Sequence, residues 1–525
     1  MRRRALLALL AGGASVFGYA PFEWYPLALI SLGVLAWLLA GVTRLRDGFA
    51  LGFAWGFGAF AGGVSWLYVA LERYGGMPAP LAVLAIALFC GYLALFPGLA
   101  GAGFAGLHRR RPPRSPQRVG AAPPLRAPSA APVRSAALFA ALWLLAEWLR
   151  GVVFTGFPWL AVAYSQTPPS PLAGYLPLIG AYGVGGLAAF VAALVVFLPM
   201  GRGAPVRRWA PVAVVGVVLA VGMGLAGRGW TVPSGAPVTV ALVQTNFEQS
   251  LKWDPERFAD VLQANLDLVR EAFAGPQPPA LVVLPETTVP TLLDRLPEGY
   301  LEWLAQSARE GGGDLVMGVF RRDEAGHIYN AAISLGTAPV QYYAKQHLVP
   351  FGEYSPPLFG WFYRLAQIPM SDQTRGAPDQ PPMRFGAQRV ALNICYEDLF
   401  GAELARALPE ATLMLNISNL AWYGDSLAQP QHLQVARVRA LETGRPMLRS
   451  TNTGMTALVQ PNGRVSDVLP AFERGVLRVE AQGYTGLTPY ARWGDWLALG
   501  LALLTLAAIA LGGARGVGLA RERGA

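Results

Sequence analysis

Lysine, cysteine and histidine are almost missing from this chain of 525 residues, and charge of either sign is scarce. Charged residues make up 14% against 53% hydrophobic, which excludes an ordinary soluble protein and points to a membrane class. The two cysteines, Cys90 and Cys395, leave no basis for a disulfide framework: Cys90 lies in the apolar run Leu84–Leu95, and Cys395 stands alone in a globular stretch far along the chain. A lone cysteine in an oxidising compartment needs a reason to be kept; the bland one is that it serves as a small buried hydrophobe. Four scattered histidines offer no metal-ligand spacing. Of 42 basic residues only Lys252 and Lys345 are lysine. A chain that writes arginine wherever positive charge will do keeps lysine where a compact ammonium differs from a planar guanidinium, chance survival being the alternative.

Long apolar runs fall near residues 5–20, 25–41, 48–70, 80–107, 135–151, 178–200, 209–227 and 493–513. Eight membrane spans are therefore expected, each able to cross a hydrocarbon layer of about 30 Å. The first follows Met1-Arg2-Arg3-Arg4, but Gly18-Tyr19-Ala20-Pro21 is a poor cleavage site, so it reads as a retained helix. With eight crossings, Arg2–Arg4, Arg44 and Arg46, seven arginines from Arg109 to Arg134, Arg202, Arg207, Arg208, Arg515, Arg521 and Arg523 all fall on one side. This positive-inside pattern places both termini in the cytoplasm and faces 228–492 outward. The net charge of +10 is thus a topology signal, and no nucleic-acid partner is expected. The expected domains are a seven-helix membrane region over 1–227, with an Arg/Pro-rich cytoplasmic loop at 108–134, an outward domain over 228–492, and an eighth helix with a tail over 493–525. Glu147 and Arg150, three apart near the outward end of the fifth span, are expected to pair and snorkel, although such groups also mark functional cavities.

Beyond Arg228 the texture becomes globular. Short β-branched runs, Val238–Val243, Leu281–Leu284, Leu315–Val319, Val390–Ile394 and Thr412–Ile417, alternate with amphipathic stretches at Arg257–Phe273, Tyr300–Arg309 and Gln431–Thr443. That alternation predicts a layered α/β domain with buried strands.

Three reactive groups stand just past such strands, where an α/β sheet presents its ligands. Glu286 follows Leu281-Val282-Val283-Leu284-Pro285, where poor solvation would favour a base; a helix or turn cap is the ordinary alternative. Lys345 follows Tyr343-Ala344 and could steady an oxyanion, with Glu353, eight residues on, orienting the ammonium. His347 is the rival base, and with no acidic partner evident nearby it reads as structural. Cys395, after Asn393-Ile394 and before a helix expected from Leu399, would stand at a sharp turn with its sulfur exposed near helix amides. A thiol, a base and an oxyanion donor together suit acyl transfer.

Glu, Lys and Cys in this order resemble the nitrilase superfamily of carbon–nitrogen hydrolases and acyltransferases, which implies an αββα sandwich with a Glu-Lys-Cys triad. Joined to eight spans, the chain resembles the apolipoprotein N-acyltransferase family over nearly its whole length. The resemblance runs through Thr155-Gly156-Phe157-Pro158-Trp159-Leu160, Ser250-Leu251-Lys252-Trp253-Asp254-Pro255, His347-Leu348-Val349-Pro350-Phe351-Gly352-Glu353-Tyr354, Cys395-Tyr396-Glu397 and Ala436-Arg437-Val438-Arg439-Ala440-Leu441-Glu442. It implies Glu286 as base, Lys345 as oxyanion stabiliser and Cys395 as nucleophile, with Glu353 and Glu397 supporting and Trp253 and Tyr396 near the substrate. One departure is Asn419-Leu420-Ala421-Trp422, where the family usually carries an acidic residue at the second place.

The expected reaction passes a fatty acyl group from a membrane phospholipid through a Cys395 thioester to the α-amine of a diacylglyceryl-cysteine on an apolipoprotein, in a bacterial inner membrane. No cofactor is implied. The apolar stretch Tyr354–Met370, with Phe359 and Trp361, reads as a lid over the acyl chains or as ordinary core, and Trp159 as a substrate contact or an interfacial anchor. Two rival functions stay open: a membrane-anchored amidase or nitrilase with water as acceptor, and a transporter or scaffold with an inert outer domain.

Overall fold

The structure is a computed structural model and describes residues 1–108, 132–197, 205–355 and 372–522. Most of the loop expected over 108–134, and the lid residues Phe359 and Trp361, lie outside the described residues. The chain forms two compact units: Met1–Ser65, Leu84–Arg228 and Trp493–Ala525 in one, Trp66–Val83 and Gly229–Arg492 in the other.

The first unit is helical. A helix stands at each of the eight apolar runs: Arg2–Ser15, Tyr25–Ala40, Leu45–Gly63, Ala79–His108, Pro132–Val152, Leu176–Val196, Pro205–Ala226 and Trp496–Glu522. The count of eight spans is a different matter. Among the described residues four helices are long and apolar enough to cross a membrane, and a fifth qualifies if Leu45–Gly63 is taken with Leu67–Tyr74. Tyr25–Ala40 has 16 residues and Arg2–Ser15 has 14, so at ~1.5 Å per residue each falls short of ~30 Å. Helices Arg2–Ser15 and Leu45–Gly63 touch backbone to backbone, because Gly12 lies on the Trp55 carbonyl and Gly58 on that of Leu9; small residues allow this closeness in membranes, where packing rather than water drives association.

Glu147 and Arg150 do not pair and snorkel. Both are buried, and each holds backbone instead: Arg150 donates to the carbonyls of Phe157 and Trp159 at 2.5 and 2.7 Å, and Glu147 accepts from the Val162 amide at 2.8 Å. The loop after Pro132–Val152 runs through Phe154 and Thr155 at positive φ, and the two side chains satisfy carbonyls and an amide that would otherwise be orphaned at that depth.

The second unit is an αββα sandwich. One six-stranded sheet comprises β1 (Val238–Gln244), β2 (Leu281–Val283), β3 (Asp314–Arg322), β4 (Ile328–Gly336), β5 (Gln341–Ala344) and β12 (Gly475–Ala481), in the order β12-β1-β2-β3-β4-β5. The other comprises β6 (Met383–Phe385), β7 (Gln388–Ile394), β8 (Leu413–Ser418), β9 (Met447–Thr451), β10 (Ala457–Val459) and β11 (Val465–Val468), in the order β11-β10-β9-β8-β7-β6. Strands β1, β2 and β3 run parallel, as do β7, β8 and β9, while the flanking strands are antiparallel.

Period-two alternation assigns the faces. Val238, Val240, Leu242, Leu281 and Val283 of one sheet meet Val390, Leu392, Ile394, Leu413, Leu415 and Ile417 of the other in the central core. The opposite faces carry Ala241, Val243, Val282 and Leu315 under helices Phe258–Phe273 and Tyr300–Glu310, and Ala391 and Met414 under helix Ala428–Thr443. Both faces of the central strands are therefore buried, which is why they read as continuous apolar runs.

The C-terminal ends of the parallel strands share one end of this sandwich, and β3 packs closely against the Glu286 turn there. A Cβ on Gly318 of β3 would lie 2.6 Å from both the Glu286 Cα and the Thr287 amide nitrogen, and 2.7 Å from the Pro285 carbonyl oxygen. Gly318→Ala is expected to destabilise the second unit by about 1–3 kcal/mol through overpacking, read as a fall in its melting temperature; an unchanged melt would mean that β3 and the Glu286 turn do not touch.

Candidate active site

Strand ends deliver the reactive groups. Glu286 stands three residues past β2, Lys345 follows β5 directly, and Cys395 follows β7 directly. The first two come from one sheet and the third from the other, so the site lies where the sheets abut. No helix begins at Leu399 as the sequence suggested: Cys395–Leu399 is a 3₁₀ turn and Gly401–Leu404 a single helical turn. Cys395 itself takes the left-handed conformation at φ 54°, disfavoured for a side chain with a Cβ and held only where the surroundings over-determine it.

Lys345 is buried to 1% exposure between two carboxylates. Its ammonium donates to Glu353 Oε1 at 2.7 Å and to Glu286 Oε1 at 3.4 Å. Burial alone would drive the ammonium to lose its proton, but Glu353, Glu286 and Cys395 together hold its pKa well above the ordinary lysine value. Glu286 is fully engaged: Oε1 also accepts from Asn330 Nδ2 at 2.8 Å, and Oε2 accepts from the Asn419 amide at 2.8 Å. Asn330 Nδ2 reaches Glu353 Oε1 as well, at 2.9 Å, while Glu353 Oε2 takes the Val349 amide at 2.8 Å.

Cys395 lies within electrostatic reach of Glu286, Lys345 and Glu353. Burial raises its thiol pKa well above the ordinary value, Glu286 raises it further, and Lys345 opposes them. Cys395 is therefore a thiol at rest, and a nucleophilic thiolate forms only as a base removes its proton.

Glu397 joins the two halves. Its Oε2 accepts from the Ile394 amide at 2.6 Å and the Tyr343 hydroxyl at 3.0 Å, and its Oε1 from the amides of Gln346 and His347 at 2.7 and 3.1 Å. One carboxylate thus ties the end of β7, carrying Cys395, to the end of β5, carrying Lys345. Burial pushes the Glu397 pKa up to about 7 against the pull of those amides and of Lys345.

Other expected residues fall out differently. Trp253 packs on Phe320 with ring centroids 6.1 Å apart, next to Lys252, whose ammonium reaches the Glu286 carbonyl at 3.4 Å. Tyr396 is buried against Phe400 and His347. Trp159 is buried in the first unit. His347 does have an acidic partner, which sequence distance concealed: Glu403 lies 3.1 Å from Nδ1, and the ring stacks on Phe400. The departure at Leu420 is a buried apolar side chain; what meets Glu286 there is the backbone amide of Asn419.

Sequence reasoning missed Asn330, Asn419 and Tyr423. Tyr423 lies within electrostatic reach of Cys395, Lys345, Glu286 and Glu353, and burial raises its pKa; its ring meets Trp66 edge-on at 4.5 Å. For the two asparagines the usable signal was position, since Asn330 lies within a buried strand and Asn419 stands two residues past the apolar run over 412–417, places where a carboxamide needs partners.

Residues 11–194 match the apolipoprotein N-acyltransferase N-terminal domain, and residues 239–490 match the carbon-nitrogen hydrolase family. The apolipoprotein N-acyltransferase of Nitrosomonas europaea is 44% identical over 98% of this chain and 98% of its own. The chain belongs to the apolipoprotein N-acyltransferase family. The enzyme of that name from Ralstonia nicotianae is 43% identical over 97% of this chain and 93% of its own. Among solved structures, a carbon-nitrogen hydrolase from Helicobacter pylori aligns with 47% of this chain and 89% of its own, at 17% identity and a TM-score of 0.36.

Lys252 generates a pH prediction. It is 1% exposed, and burial lowers its pKa to about 7, Glu286 partly opposing. The folded value lies below the unfolded one, so the cost of burying the ammonium is fully present below about pH 7 and fades as pH rises towards the unfolded lysine value of 10.5. Lys252→Met is expected to raise the melting temperature most below about pH 7, by on the order of a few kcal/mol in stability, with the gain shrinking towards about pH 10. A gain that does not vary with pH would show that Lys252 carries no buried charge.

Proposed function

We propose that this protein is a membrane acyltransferase that moves a fatty acyl group from a phospholipid to the terminal α-amine of a diacylglyceryl-cysteine on an apolipoprotein, the final step of bacterial lipoprotein maturation. The observation that carries this reading is a cysteine brought by its strand end to a buried carboxylate–ammonium pair, in a chain whose family acylates apolipoproteins.

In the first half-reaction Cys395 Sγ attacks the ester carbonyl of the phospholipid while Glu286 takes the thiol proton. The carbonyl oxygen becomes an oxyanion opposite the Lys345 ammonium. Collapse of that intermediate breaks the ester C–O bond; the leaving alkoxide recovers the proton from Glu286 and departs as lysophospholipid, leaving a thioester. In the second half-reaction the neutral α-amine of the acceptor attacks the thioester, Glu286 takes a proton from the nitrogen, and the C–S bond breaks. The sulfur regains a proton, and the product is an amide. Net charge within the site is unchanged by each proton transfer, which suits a buried cluster where new charge is expensive.

Glu353 and Glu397 serve as supports: Glu353 fixes the ammonium, and Glu397 fixes the distance between the two strand ends. Trp253, Tyr396, Trp159, Phe359 and Trp361 remain candidates for contact with substrate. The arginine distribution supports an inner-membrane protein with both termini in the cytoplasm and the sandwich on the periplasmic side.

A hydrolase would use the same groups with water as acceptor. Apolar helices and family membership favour two membrane-held substrates over water. Incubation of the purified protein with phospholipid alone is expected to add an acyl mass to the Cys395 peptide, absent in Cys395→Ala, and later addition of a diacylglyceryl peptide should move that mass to the peptide amine. Release of free fatty acid with no N-acylated peptide would favour the hydrolase; no adduct on Cys395 would overturn the mechanism.

A further inference from the structure

Directly behind Cys395 lies a polar cluster that the proposed mechanism does not use. Asp398 is in the 3₁₀ turn, His432 on helix Ala428–Thr443 and Arg449 on β9, and each is 1% exposed or less. His432 Nε2 lies 2.7 Å from Asp398 Oδ1, Arg449 Nη1 donates to Asp398 Oδ2 at 2.8 Å, and Arg449 Nη2 approaches His432 Nδ1 at 3.0 Å. A guanidinium can only donate, so Nδ1 must accept and carries no proton; the proton sits on Nε2 and points at Asp398. The imidazole is thus neutral and locked in one tautomer. Burial lowers its pKa, Asp398 opposes that, and Arg449 lowers it further. Asn416 Nδ2 donates to the Cys395 carbonyl at 3.1 Å.

Asp398 stands three residues past Cys395 in the same 3₁₀ turn, so the cluster holds that turn while Asn416 holds the carbonyl of Cys395; Cys395 has φ 54°, a conformation that needs external restraint. Asp398 and Arg449 cancel each other's charge, and a neutral His432 adds none. Glu286, Lys345 and Glu353 act on the thiol more strongly than Asp398 does.

We infer that His432, held by Asp398 and Arg449, is a positioning residue for Cys395: a permanently neutral imidazole that pins the left-handed turn on which the nucleophile stands. This rests on the reading of Cys395 as the acylated residue.

The test measures thioester formation on full-length protein with phospholipid vesicles, together with nitrogen NMR of histidine-labelled protein. Four histidines keep the spectrum assignable, the His432 signals being those missing from His432→Gln. His432→Ala should slow acylation of Cys395 by about 100-fold, as a misplaced nucleophile does, with KM for phospholipid within about twofold and the shape of the pH profile unchanged. His432→Gln, whose Nε2–H can still reach Asp398, should recover at least about tenfold of that loss. In unsubstituted protein the His432 nitrogens should report the neutral Nε2–H form from about pH 5.5 to about pH 9. Acylation within twofold of the parent in His432→Ala would overturn the inference, and so would an imidazolium in that pH range, a readout that holds even if the alanine variant does not fold. If the parent protein takes no acyl group on Cys395, the proposed function fails instead, and the nitrogen shifts still decide the tautomer lock.

Discussion

The arrangement depends on one buried ammonium shared by two carboxylates. Lys345 with Glu353 and Glu286 places three formal charges where water is excluded, and such a cluster survives only if every partner stays in place. Asn330, spanning both carboxylates, and the Asn419 amide supply the remaining hydrogen bonds to Glu286. Removing Lys345 would leave two buried carboxylates with no counter-charge, and the shared hydrogen bonds restrict the motion of each group. Rigidity is what acyl transfer needs, since donors aimed in advance at the developing oxyanion cost no reorganisation during reaction.

A sandwich of two sheets is a natural frame for that cluster. Each sheet ends its parallel strands at the same edge, and the central core of Val, Leu and Ile side chains keeps the sheets in register. The Glu397 carboxylate then ties the edges by collecting amides from both. Cys395 pays a conformational penalty for its left-handed turn, offset by hydrogen bonds to its peptide from the side on which no chemistry occurs.

Much of this was legible from residues. The strands that became β1, β2, β3, β7 and β8 showed themselves because both faces are buried, and helices Phe258–Phe273 and Tyr300–Glu310 because one face is not. Edge strands such as β6 and β11 were not visible; Val465–Val468 is largely exposed and carries little apolar pattern. Glu286, Lys345 and Cys395 stood out as reactive groups after apolar runs, and the scarcity of lysine drew attention to two residues that both lie against Glu286. The partner of His347 could not be read, since Glu403 is 56 residues away and only the fold brings it near. The behaviour of Glu147 and Arg150 was misjudged for a related reason: spacing of three on a helix suggests a pair, whereas orphaned backbone groups in the following loop compete for both side chains and win.

The central claim is that Cys395 is a protonated thiol at rest and is deprotonated only in the act of attack. The rate at which a small neutral alkylating reagent modifies Cys395, followed from about pH 6 to about pH 10 in protein carrying Cys90→Ala, tests this directly. The account predicts slow modification near neutrality that climbs steadily to the top of that range. A fast rate that is flat between about pH 6 and about pH 9 would reveal a preformed thiolate and contradict it.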